Sequence, residues 1–249
     1  MRPLIDKLKP KKGFANILHI LISAFLPVLL YVLIRMHFVP LAVIVLLLSK
    51  WRMLAVKPRF WPANIRANAV DLMVGLATIV FMTHSFEASF QLAWAALYGV
   101  WLVTIKPGRS VLSISLQALL GQTYALMALF VGWPGAPIIT LVLAGWSICY
   151  LAARHYLSSF DEPYTPLFAQ TWGYFAAGLM WLSGHWLIFY SVVAQPTLLL
   201  TVFGFGLGGL YYLNENDRLS TFMRRQIIFI MIAVVIVVLV FSHWGDRPI

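Results

Sequence analysis

The sequence predicts an all-α fold: a polytopic transmembrane helix bundle of about nine spans, forming a single domain over residues 1–249. Three observations predict it. The chain is 61% hydrophobic and only 10% charged, with a mean hydropathy of +0.86. A soluble domain is about 45–50% apolar and about 25% charged, so a soluble core could not hide this much hydrocarbon. Apolar runs long enough to cross a bilayer recur along the chain with short polar breaks. When the connecting segments are assigned alternately to the two sides, the cations collect on one of them.

The first run, roughly 13–36, follows a basic tail over 1–12, MRPLIDKLKPKK. It exceeds the 7–15 residues of a signal-peptide core and has no clear cleavage site, so it reads as an uncleaved span. The second, roughly 38–54, has a short apolar core, VPLAVIVLLL, and needs its flanks to cross. The others cover roughly 63–84, 88–105, 110–131, 136–153, 166–190, 195–213 and 223–243. With the N-terminus inside, 16 of the 18 Lys and Arg face the cytoplasm; only Arg35 and Arg247 do not. That bias predicts a cytoplasmic N-terminus, an external C-terminus and residence in the plasma (inner) membrane. The net charge of +10 is therefore a topological signal, and no nucleic-acid partner is expected.

Four spans carry polar or small residues at helical spacing. They are Asn16, His19, Ser23, Pro27 and Tyr31; Asn64, Asn68, Asp71, Gly75, Thr78 and Ser85; Ser110, Ser113, Gln117, Gly121 and Tyr124; and Gln170, Tyr174, Gly178, Trp181 and His185. Steps of 3, 4 or 7 hold each set on one face, and hydrocarbon offers no hydrogen bonds, so these faces are expected to turn inward. The second and ninth spans are apolar all round and suit lipid, or protein subunits docking on apolar flanks. Gly204 and Gly208 form the small-residue spacing of packed membrane helices.

Asp71 is the only acid within an apolar span and needs a partner there. Counted from the cytoplasmic helix ends, His19, Asp71, Gln117 and Tyr174 fall at ~9–12 Å, which predicts an internal polar layer with Asp71 facing His19. The alternative is that Asp71 reaches back towards Arg66 and the interface.

Residues 50–66, KWRMLAVKPRFWPANIR, hold Lys50, Arg52, Lys57, Arg59 and Arg66 with two tryptophans and no acid. Such a loop holds its side of the topology and can also bind anionic lipid headgroups. His37, His84, His185 and His243 map to the outer boundary. Imidazoles can bind metal, but none of these pairs has motif spacing, and neither a metal nor a cofactor is expected. The lone Cys149 excludes an intramolecular disulfide. Gly145-Trp146-Ser147-Ile148-Cys149 falls one residue short of a nucleophile elbow and lies within a span. No catalytic residue is assigned. The expected function is that of a transporter- or channel-like membrane protein of unknown substrate. A structural subunit of a membrane complex and an enzyme of lipid-linked substrates are the alternatives.

Overall fold

The computed structural model describes residues 14–51, 55–108, 110–160, 162–184, 189–190 and 193–242, with side chains from residue 24 onward except at 189–190. The described residues form ten α-helices: α1 (Phe14–Arg35), α2 (Val39–Leu48), α3 (Trp61–Ala67), α4 (Ala69–His84), α5 (Ala88–Val100), α6 (Val111–Gly132), α7 (Ile138–Leu157), α8 (Thr165–Gly184), α9 (Gln195–Glu215) and α10 (Thr221–Phe241). The expected all-α class is correct, apart from a two-residue antiparallel pairing of β1 (Phe189–Tyr190) with β2 (Val193–Ala194). Five helical stretches among the described residues are long and apolar enough to cross a membrane: 88–105, 111–132, 138–157, 195–215 and 221–241. Their number and composition make this a membrane-embedded protein.

Several span limits differ from the sequence reading. The second apolar run is helical only over Val39–Leu48, ten residues or about 15 Å of rise. Its end is followed by a turn in which Lys50 N–H bonds Leu47 O at 3.0 Å. The third run is two helices, α3 and α4, meeting at a 66° bend. The cause is Asn68, whose backbone leaves the helical region (φ −106°, ψ 6°). Its Nδ2 donates to Asn64 O at 2.9 Å, a local bond that competes with the helical ladder. In the seventh run, expected over 166–190, the described helix is Thr165–Gly184, and Phe189–Tyr190 belong to β1. The fourth run has its expected limits, 88–105, its last turn being a π-helical stretch, Trp101–Ile105, that continues α5.

Helices α4 and α6 occupy the middle of the packing. On α4 the buried set includes Val70, Asp71, Val74, Gly75, Thr78, Ile79 and Met82. Leu46 of α2 and Tyr98 of α5 press against Gly75, where a Cβ would stand 2.6 Å from Leu46 Cδ1 and 3.0 Å from the Tyr98 hydroxyl. Gly121 of α6 meets α4 in the same way, with Val70 Cγ1 2.6 Å from a would-be Cβ. Between helices in lipid, packing replaces the hydrophobic effect as the main attraction, so these glycines set how closely the backbones approach. One core joins α1, α2, α4 and α5 around Leu30, Leu46, Met82 and Tyr98. A second joins α6 to α9 around Leu126, Cys149, Met180 and Leu200. The aromatic trio Phe81, Trp94 and Tyr124 joins α4, α5 and α6, with ring centroids 4.7–6.0 Å apart.

The polar faces expected on the third and fifth runs are inward: Asp71, Gly75, Thr78, Gln117 and Gly121 are buried. The face expected on the seventh is not. Tyr174 is 67% exposed and Trp181 46%, while Ala169, Gly173, Ala176 and Met180 are buried. Small residues, rather than polar ones, let α8 approach α7. A Cβ on Gly173 would stand 2.9 Å from Trp146 Nε1. Along α10 only Val238 is buried, in keeping with the lipid-facing character expected of the last run.

Candidate functional site

Two arrangements stand out: a polar belt across one end of the bundle and an apolar groove beside it. The belt begins at Asp71, in the first turn of α4. Its Oδ2 receives Lys50 Nζ from the turn after α2, and Lys106 Nζ from the turn after the π stretch at 2.6 Å. Its Oδ1 accepts from Trp101 Nε1 at 3.3 Å. Lys50 and Asp71 are each 9% exposed at the side chain, and Lys106 is 39% exposed. Both carboxylate oxygens are thus engaged, and a charge that would be costly alone is matched and hydrogen-bonded.

The turn that carries Lys106 is itself held by Gln117. From α6, Gln117 Nε2 donates to Ile105 O at 2.6 Å and to Gly108 O at 3.1 Å. His155 of α7 donates from Nε2 to Gln117 Oε1 at 3.2 Å. Polar contacts therefore run from α7 through α6 and the 105–108 turn to α4 and the end of α2.

Of the expected polar layer, Asp71 and Gln117 lie in this belt, joined through the 105–108 turn rather than directly. Tyr174 lies apart, its ring 6.3 Å from that of Trp146. The side chain of His19 lies outside the described residues. Lys106 and His155 were missed. The charge bias accounts for Lys106 as a topological cation, and His155 lies just past the sixth apolar run. The available signal was the isolation of Asp71, the only acid between Asp6 and Glu87. It demanded a cation, and neighbouring loops supplied candidates.

Within the basic loop, Lys50 is withdrawn into the Asp71 contact, Arg52 lies outside the described residues, and Lys57, Arg59 and Arg66 are exposed. Arg59 stacks on Phe60 with Cζ 4.6 Å from the ring centroid. Arg66 Nε donates to Pro62 O at 3.1 Å. His37 and His84 are exposed, and His185 and His243 lie outside the described residues. No group of three metal-ligating side chains occurs among the described residues.

The groove lies between α6, α7, α8 and α9 and has a volume of about 450 Å³. Its floor is buried: Ala118 and Gln122 of α6 and Ala152 of α7 are 1–3% exposed. Its rim is open, with Phe168 and Phe175 of α8 each 43% exposed and Leu207 of α9 50%. The few polar groups on the wall are already engaged. Trp172 Nε1 donates to Gln122 Oε1 at 2.9 Å, and Gln122 Nε2 to Leu200 O at 3.3 Å. Tyr156 donates to Gly208 O at 2.5 Å, and Tyr211 to Glu162 Oε2 at 2.8 Å. Gly204 and Gly208 face this space, and a Cβ on Gly208 would make only ordinary contacts, 3.6 Å from Leu119 and Tyr156.

No protein-family model, curated protein or solved structure matches the chain.

Proposed function

We propose that this chain is a transporter-like polytopic membrane protein that holds an amphipathic, lipid-like molecule in the groove between α6, α7, α8 and α9. In this reading about nine spans cross the plasma (inner) membrane, and the Asp71 end faces the cytoplasm. The groove carries the proposal. Its volume of about 450 Å³ is within the range of about 300–1,000 Å³ common for ligand sites. Its wall is apolar, its polar groups are satisfied within the protein, and its rim opens between α8 and α9. That chemistry suits a hydrocarbon chain and gives an ion nothing to bind. Asp71 does not favour an ion pathway either, since both its oxygens are engaged by Lys50, Lys106 and Trp101.

Native mass spectrometry of the detergent-purified protein tests this reading. Ala153→Trp and Gly208→Phe place bulk in the groove and should each reduce co-purified lipid several-fold. Undiminished lipid in both variants would remove the groove as a ligand site.

A second reading, a subunit of a membrane complex, is favoured by α10, whose described side chains are exposed nearly all round. Lipid-free co-purification of a second polypeptide that is lost on deleting α10 would support it over the transporter.

A further inference from the structure

The belt around Asp71 leaves a positive charge over. Two ammonium groups share one carboxylate oxygen, and the other oxygen is taken by an indole N–H. The pair Lys50–Asp71 is closed from solvent, whereas Lys106 is 39% exposed. Lys106 has three N–H donors, and its contact with Asp71 is the one ion pair it makes among the described residues. The surplus is therefore presented at Lys106. Asp71 stands in the first turn of α4. The chain has little to offset the surplus. Between Lys7 and Phe160 the only acids are Asp71 and Glu87, and Glu87 lies at the far end of α4, just before α5. Among the described residues no second carboxylate pairs with Lys50 or Lys106.

We propose that Lys106, backed by the Lys50–Asp71 pair, forms a binding site for a single phosphate group, a chemistry shared by anionic phospholipid headgroups and free phosphate. A lysine between helix ends at a membrane boundary meets phosphate through charge-assisted hydrogen bonds. The site is distinct from the exposed Lys57, Arg59 and Arg66, which sit on the loop and α3. It does not depend on the groove or on what the groove carries.

The test uses the full-length protein in two settings. In delipidated detergent solution, Tm is followed against inorganic phosphate, with chloride at matched ionic strength as reference. In nanodiscs, retention of phosphatidylglycerol over phosphatidylcholine is measured by native mass spectrometry after extraction. The expected result is a saturable rise in Tm with phosphate, a several-fold preference for phosphatidylglycerol, or both. A lipid preference without a phosphate response assigns the site to headgroups, and the reverse assigns it to free phosphate. Lys106→Gln should abolish the effect and Lys106→Arg should keep it. Arg59→Gln/Arg66→Gln should leave it at least half intact. Absence of both effects in the unsubstituted protein overturns the proposal, whatever the variants do. So does retention of the effect in Lys106→Gln, or its loss only in the loop variant.

Discussion

Lys50 and Asp71 are 21 residues apart and closed from solvent, their side chains in direct contact where the end of α2 meets the first turn of α4. This contact joins two helices that are both short, ten and 16 residues. Leu46, one turn before Lys50, meets Gly75, one turn after Asp71. The ion pair and the apolar contact thus run in step along an antiparallel helix pair.

Breaking this pair from one side should cost more than replacing it whole. Asp71→Leu leaves Lys50 buried without an anion and should destabilise by about 3–5 kcal/mol. Asp71→Asn should cost less, since an amide oxygen can still accept from Trp101. Lys50→Met/Asp71→Leu should be much less damaging than the sum of its single changes. Thermal unfolding of the four proteins in one detergent gives the cycle, and strict additivity would mean that the pair does not hold α2 to α4.

Gln117 fixes the turn that carries Lys106. Gln117→Leu removes the side-chain donor to Gly108 O and leaves Ile105 O only the backbone N–H of Gly108, at 3.2 Å, and should cost about 1–3 kcal/mol. The amides of residues 105–108 should exchange faster in hydrogen-exchange mass spectrometry. His155→Phe should have a smaller effect, because it leaves the Gln117 amide free to hold the turn. Equal exchange in Gln117→Leu and the unsubstituted protein would count against the clamp.

Two glycines should respond in opposite directions to alanine. At Gly75 the added methyl meets Leu46 and Tyr98, which are 0% and 1% exposed and have no room to move. Overpacking there should cost about 1–3 kcal/mol. At Gly178 nothing lies within 4 Å of the added Cβ, and the side faces outward. Gly178→Ala should be neutral or stabilise by up to about 1 kcal/mol through helix propensity. Tm values of the two variants decide it.

Orientation can be read by thiol labelling in a Cys149→Ser background. Cys149 itself is 0% exposed and should not react in the native protein. Phe86→Cys, at a position 98% exposed between α4 and α5, should react with an impermeant maleimide from outside intact cells. Ala63→Cys, exposed on α3, should react only after the membrane is opened. The opposite pattern would invert the topology.

The sequence by itself determined the helical class, the inward faces of the third and fifth runs, and the exposed character of the last. Those follow from composition and from the 3.6-residue period, which are local properties. It also showed that Asp71 needs a partner, because a charge among apolar residues is costly wherever the chain goes. Tertiary structure decided which partner. Lys50 and Lys106 are 21 and 35 residues from Asp71, and only the antiparallel packing of α2, α4 and α5 brings them to one carboxylate. It also decided which way α8 turns. That helix carries a polar stripe and a small-residue stripe, both helical in period, and close approach to Trp146 and Tyr150 of α7 selected the small one. The groove was not legible at all, because a cavity is what four helices fail to fill between them. Gly204 and Gly208 mark its wall, yet the same spacing would have served equally for tight packing; the placement of α6 and α8 around α9 determined which it became.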